Sequence, residues 1–183
     1  MKIIDITQEV FSCRVFPGDS QPKFERALSI ERDKLNLTNI SMCVHNGTHI
    51  DAPNHFVAGG KAVHELDLER FYGKCAVVEK GDIISALNNC HERIIIKGDC
   101  EISEETARLI ADSNVKLIGV ENQSVANIES PMSVHVILLE KEIALLEGLD
   151  LSGVNAGEYV LAAFPLKLEG SDGSPVRAVL IDS

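Results

Sequence analysis

Three histidines and a carboxylate fall within eleven residues, His45-Asn46-Gly47-Thr48-His49-Ile50-Asp51-Ala52-Pro53-Asn54-His55, and this stretch restricts what its own backbone can be. Gly47, the β-branched Thr48 and Ile50, and Pro53 all weigh against a helix. In extended backbone, residues of one parity leave the same face of a strand, so His45, His49 and Asp51 are expected to project together. Imidazole nitrogens and a carboxylate oxygen suit zinc, and also manganese or iron, which makes the stretch a metal site on first reading. The helical His-Glu-x-x-His zinc arrangement does not apply. The alternative is a histidine-rich surface loop, or core histidines satisfied by hydrogen bonds, with no metal. His64 and His91 fit no pattern and are expected to be surface or structural residues.

At 183 residues the chain is long enough for one well-buried core and hardly for two, so a single domain over residues 1–183 is expected. A hydrophobic fraction of 45% and a charged fraction of 25% exclude a disordered or fibrous class. The net charge of -11 argues against nucleic acid as a partner, because an acidic surface repels a phosphate backbone. The five cysteines, Cys13, Cys43, Cys75, Cys90 and Cys100, form no Cys-x-x-Cys pair and read as reduced core residues rather than a disulfide framework. The first residues lack the apolar run of a signal peptide, and no apolar stretch approaches the roughly 18 residues of a membrane span. The cytoplasm is the expected location.

Apolar runs predict strands at Lys2 to Thr7, Thr38 to His45, Cys75 to Glu79, Arg93 to Lys97, Val115 to Val120, Ile143 to Leu146, Tyr159 to Phe164 and Val176 to Ile181. A helix is predicted over Glu104 to Asp112, with Ser103 as its cap and Glu104 and Glu105 at the positive end of its dipole. Shorter helices are expected near Ile83 to Asn89 and Val134 to Lys141, and turns at Pro17-Gly18-Asp19, Gly59-Gly60 and Ser171 to Pro175. The fold class is α/β: a single-domain mixed sheet with flanking helices.

The stretch from Val44 to His55 resembles the hallmark of the cyclase, or bacterial kynurenine formamidase-like, family of metal-dependent hydrolases. Further landmarks follow in the family's order: Asp5-Ile6-Thr7, Phe16-Pro17-Gly18-Asp19, the segment Leu117 to Ser124, Phe164-Pro165-Leu166-Lys167, and Gly173 to Ala178. The resemblance implies a swivelling β/β/α-type fold, a homodimer or larger homo-oligomer, and a centre of one or two metal ions, for which the histidine and carboxylate donors favour Zn2+ and also suit Mn2+. It implies that His45, His49 and Asp51 bind metal, that Asp51 bridges to a second ion, and that His135 and Glu147 complete the set. From the residues alone, His135 in its apolar run reads more readily as a satisfied core histidine than as a ligand, and Glu147 can be a solvated loop carboxylate.

By the same resemblance His55 is a general acid/base and not a ligand. A histidine titrates near neutrality, so it can take a proton from an attacking water and return it to a leaving amine. A further ligand, or a histidine supporting one, is the alternative. Gly47 and Thr48 are expected to shape the loop. Phe16 stands where true kynurenine formamidases carry a tryptophan before the Pro-Gly-Asp turn, which makes it a candidate substrate wall or else an ordinary core residue. The stretch from Arg93 to Ser103 is abbreviated, and Glu121-Asn122-Gln123-Ser124 replaces the family's Asp-Thr-Pro-Ser. The leading expectation is a metal-dependent amidohydrolase with arylformamidase-like activity on a small-molecule amide, N-formylkynurenine being the named candidate. Hydrolysis of an isatin-like cyclic amide or a lactone is the alternative among enzymes. A non-catalytic metal- or ligand-binding relative is the alternative outside them, although such a protein has no use for a proton shuttle at His55.

Overall fold

Ile94, Ile95 and Ile96 are all fully buried, as an unbroken apolar run must be when a strand is covered on both faces. They belong to the centre of a computed structural model that describes residues 1–127 and 132–182. In chain order the elements are β1 (Lys2–Asp5), β2 (Lys23–Leu28), α1 (Ile30–Asp33), β3 (Leu37–Ser41), β4 (His49–Asp51), β5 (Tyr72–Glu79), α2 (Ile83–Asn88), β6 (Arg93–Lys97), α3 (Glu104–Ala111), β7 (Leu117–Val120), α4 (Met132–Leu139), β8 (Ala144–Glu147), β9 (Gly157–Ala162), β10 (Gly173–Pro175) and β11 (Val179–Asp182). Short 3-10 turns, including Pro53–His55, join several of them.

Among the described residues a nine-stranded mixed sheet runs β1-β11-β9-β5-β6-β7-β8-β4-β10. Its middle is parallel, β5 to β6 to β7 to β8, and each of these joints is crossed by one helix: α2, α3 and α4 in turn. The outer pairings are antiparallel. Strand alternation divides the core into two layers. Ile94, Ile96, Ile118, Val120 and Leu145 pack under the helices with Ala107, Ile110 and Leu138, while Ile95, Leu117, Leu146, Ile50 and Leu161 pack on the opposite face. The result is a mixed α/β domain with a large curled sheet. No helix among the described residues is long and apolar enough to cross a membrane.

The predicted helix at Glu104 forms as expected, with Ser103 Oγ accepting a hydrogen bond from the Thr106 amide at 3.2 Å. Several expectations need correction. The strand predicted to run from Thr38 to His45 ends at Ser41, and β3 pairs with β2 in a separate two-stranded sheet. Part of the turn predicted at Ser171 to Pro175 is strand β10, an edge strand that pairs with β4, where Pro175 sits in a position proline tolerates. The cysteines are all unpaired, but only Cys75 and Cys100 are buried, whereas Cys13 and Cys43 are half-buried and Cys90 is exposed.

Candidate metal centre and active site

Strand β4 carries the histidine motif into the sheet. It pairs with β8 in the register His49↔Glu147, Ile50↔Leu146, Asp51↔Leu145. Ile50 and Leu146 therefore enter the helix-free layer of the core, and His49, Asp51 and Glu147 face the side on which the helices lie. Helix α4 meets that face with His135, on the same buried stripe as Leu138 and Leu139. The site thus lies just beyond the carboxyl ends of β7 and β8, where open α/β sheets place their ligands.

His45 reaches the same place by another route. Along a strand, four residues span about 13 Å, which would hold the His45 and His49 rings too far apart to share an ion. Instead His45 lies in a turn before β4, the chain doubles back through Asn46 and Gly47, and the two ring centroids stand 5.0 Å apart. Shared parity holds for His49 and Asp51 only. The turn is clamped by backbone contact: Gly148 has φ +68°, and a Cβ on it would overlap the Gly47 carbonyl. Thr48 fastens the same contact, donating to the Gly148 carbonyl at 2.5 Å and accepting from the Gln8 amide at 2.8 Å. Its hydroxyl is thus committed to structure, as expected.

The ligand-type atoms converge. His49 Nε2 lies 3.3 Å from Asp51 Oδ1 and 3.4 Å from Glu147 Oε2, and His135 Nε2 lies 3.4 Å from Glu147 Oε1 and 3.7 Å from Asp51 Oδ2. His45 Nδ1 is 2.8 Å from Asp51 Oδ1. Donors bound to one tetrahedral ion at about 2.0–2.2 Å stand roughly 3.3–3.5 Å from one another, so most of these separations are those of a ligand shell. His49 Nδ1–H donates to the Gly47 carbonyl at 2.9 Å, which turns the Nε2 lone pair toward the carboxylates. Asp51 belongs both to the His45, His49 group and to the His135, Glu147 group, one oxygen toward each.

Charge makes the same point. His49, Asp51, His135 and Glu147 are at most 3% exposed, and two carboxylates in such a place require a matching positive charge. Burial opposes the His49 imidazolium, yet the hydrogen bonds and charges of Asp51 and Glu147 overcome it and hold its pKa well above the ordinary value. Burial likewise works against the Asp51 carboxylate, and His45 and His49 reverse that and hold it well below. The donor set and its charge therefore fit one or two divalent cations.

His55 follows the Pro53–His55 turn into the same cavity. Its ring stacks on His45 at 4.1 Å, and its Nδ1 lies 3.2 Å from Asp172 Oδ2. Burial pushes its pKa down, against the pull of the Asp51 charge. The cavity encloses about 200 Å³ above the cluster, with Phe16, Phe56, Gln123 and Ser124 in its walls. Phe16 is therefore brought to the site. Phe56 and Asp172 were not singled out by the sequence: Phe56 packs on the His135 ring at 4.5 Å, and Asp172 touches both His45 and His55. Asp172 lies inside the turn predicted at Ser171 to Pro175, one residue before the landmark that begins at Gly173. Of the replaced loop, only Gln123 and Ser124 face the cavity. Glu121 accepts from the Gly98 and Leu151 amides, at 2.5 and 3.0 Å, and Asn122 accepts from the Cys100 amide at 3.3 Å, so this pair holds loops together. His64 accepts from the Gly170 amide and His91 pairs with Glu158, both away from the cluster.

Known proteins resemble the chain over its whole length. Residues 4–92 match the family model described as "Putative cyclase", a span that contains His45 to His55 and ends before His135 and Glu147. A kynurenine formamidase of Salinibacter ruber (strain DSM 13855 / M31) is 33% identical over 209 residues, covering 100% of this chain and 99% of that protein. Among solved structures, a potential metal-dependent hydrolase with cyclase activity superposes with a TM-score of 0.79 at 26% identity, over 98% of this chain and 96% of its own. Isatin hydrolase A from Labrenzia aggregata superposes with a TM-score of 0.82 at 23% identity, over 100% and 94%, a likeness of fold.

Proposed function

The chain belongs to the cyclase family of metal-dependent hydrolases, and from that premise we propose that it hydrolyses the C–N bond of a small amide, with an N-formyl aromatic amine such as N-formylkynurenine as substrate and an arylamine and formate as products. The observation that carries this reading is the joint placement of a three-histidine, two-carboxylate cluster in which only His45 is not fully buried, a further histidine beside it turned to Asp172, and aromatic walls above both.

His45, His49, Asp51, His135 and Glu147 would hold one or two divalent ions, Zn2+ being well suited and Mn2+ also compatible, with Asp51 between the two groups. An ion held there lowers the pKa of a water and polarises a carbonyl. The remaining work falls to the chain. His55, with Nδ1 turned to Asp172, has Nε2 left to take a proton from the attacking water and to return it to the leaving nitrogen. Phe16 and Phe56 give the ring of an aromatic amide an apolar contact and keep bulk water from the cluster.

The test is His55→Ala, assayed by formate release from N-formylkynurenine and by metal content. The variant should keep its metal and lose about 10²–10⁴-fold in kcat, the usual worth of general acid/base catalysis. Loss of metal would make His55 a ligand, and an unchanged rate would remove it from the chemistry. Turnover of an isatin-like ring or a lactone with no turnover of formamides would move the substrate class and leave the roles intact.

A homodimer or larger homo-oligomer completes the reading. The β2–β3 ribbon stands apart from the main sheet with Phe24, Leu37 and Ile40 exposed, and a two-stranded ribbon with an uncovered apolar surface is marginal by itself. Light scattering at micromolar concentration should report at least a dimer, and a monomer would reject it. Five unpaired cysteines suit the reducing cytoplasm.

A further inference from the structure

Asp172 stands outside the five-residue ligand set, yet one of its oxygens serves two of the rings around it. Its Oδ2 lies 3.0 Å from Nε2 of His45 and 3.2 Å from Nδ1 of His55. The backbone holds the carboxylate in that position. The Ala52 amide donates to the Asp172 carbonyl at 2.9 Å, and the next residue, Gly173, pairs with Asp51 in the β10–β4 ladder. Gly173 also brings the loop close under the ring, since a Cβ on it would stand 2.8 Å from His45 Cε1.

A carboxylate accepts hydrogen bonds and, while ionised, donates none. Both contacts therefore require N–H on the facing ring nitrogen. On His45 the same rule puts a proton on each ring nitrogen while no ion is bound, since Nδ1 lies 2.8 Å from Asp51; an ion in the cluster would take the place of the Nδ1 proton and leave the one that faces Asp172. On His55 a proton at Nδ1 leaves the lone pair at Nε2. A neutral imidazole without such a partner exchanges between tautomers, and the other tautomer of each ring would put a proton where a lone pair is needed.

We propose that Asp172 is a positioning residue that sets the tautomers of His45 and His55 together, so that one carboxylate presents both the metal-facing lone pair and the proton-accepting one. This rests on the roles given to His45 and His55 above. A competing arrangement exists: the ligand atoms of His45, His55 and Asp172 lie within 4.8 Å of one another, close enough to hold a cation of their own. A cation held beside Asp172 by the ring nitrogens nearest to it needs lone pairs on the nitrogens that the proposal protonates, so the two are separable.

The experiment uses the full chain loaded with Zn2+, which is diamagnetic, with its histidines labelled with 15N. Two-bond 1H–15N spectra then read the type of each ring nitrogen. In the wild-type protein His55 Nδ1 and His45 Nε2 should both be of the protonated, pyrrole type. Asp172→Ala should keep its zinc content, lose the fixed protonation at His55 Nδ1, and fall about 10–100-fold in kcat with little change in KM, as supporting carboxylates of metal-bound histidines do. Asp172→Glu, which restores a carboxylate at a half-exposed position, should recover the pyrrole-type signal. An unprotonated His55 Nδ1 in the wild type, an unchanged His55 tautomer in Asp172→Ala, or zinc lost in that variant would each overturn the proposal, the last by making Asp172 a ligand. The spectra do not depend on turnover. If His55→Ala proves fully active, the proposed chemistry fails while the tautomers still decide the role of Asp172.

Discussion

Loading the buried cluster with metal should stabilise the fold, and the size of the effect follows from where the ligands come from. His45, His49 and Asp51 lie in the first third of the chain and His135 and Glu147 in the last, so the full set exists only in the folded state. A ligand that binds only the folded state contributes about 2.7 kcal/mol at a free concentration one hundred times its Kd. For a domain of this length each kcal/mol moves Tm by about 2–4 °C, so zinc-loaded protein should melt roughly 5–11 °C above chelator-stripped protein. The gap should widen with pH. When protons alone balance the carboxylates, His49 titrates well above the ordinary imidazole value, with burial opposed by Asp51 and Glu147. Because that folded-state pKa is raised, its stabilisation is complete below the unfolded pKa and is lost as pH rises through the folded one. A metal ion must displace that proton, so apparent affinity climbs with pH while the stripped protein weakens. Differential scanning calorimetry of both forms between about pH 6 and pH 8 measures this. His49→Ala should abolish the zinc-dependent part of Tm, and Asp51→Asn should halve a stoichiometry of two. A zinc-dependent shift that survives in folded His49→Ala protein, or one that shrinks as pH rises, would refute the reasoning. One ion per chain at saturation would remove the bridging role of Asp51.

Gly148→Ala should cost at least the roughly 1–2 kcal/mol of placing a non-glycine residue at φ +68°, with more from the overlap with the Gly47 carbonyl, and should weaken zinc binding because the His45 turn rests on that contact. Urea denaturation of stripped protein checks the first and zinc titration the second; an unchanged midpoint would show that the turn does not depend on the contact. Burial pushes the Cys75 thiol up to about 12, so maleimide near neutral pH should label exposed Cys90 in the native protein and Cys75 only after unfolding. Mass spectrometry of the labelled peptides reads the order, and early labelling of Cys75 would contradict its place inside the sheet.

The parts of this fold that the sequence announces are those where burial leaves a periodic mark. Ile94 to Ile96 and Leu117 to Val120 are covered on both faces and read as strands, and Ser103 with Glu104 and Glu105 marks a helix start because orphan amides need an acceptor there. Strand β2 leaves no such mark, since Lys23 to Arg26 are all exposed and nothing in their order distinguishes a face. Strand β10 is hidden for the opposite reason: Gly173, Ser174 and Pro175 are turn formers, and only pairing with β4 makes them a strand. The site divides along the same line. His49 and Asp51 share a face by local geometry, but His45 joins them through a turn, and His135 and Glu147 through the sheet and α4, which no local pattern reports. One cue was nevertheless present. Helix α4 is apolar around most of its circumference, with Val134, Val136, Ile137, Leu138 and Leu139 about a single histidine, and β8 is an apolar strand that ends on Glu147. A polar group placed in such surroundings is costly unless it finds a partner, so each implies a complementary group brought from elsewhere in the chain. The two are each other's partners, 3.4 Å apart, and Asp51 lies beside both. Apolar segments interrupted once by a ligand-type residue thus carry information about a metal centre that spacing within a motif does not.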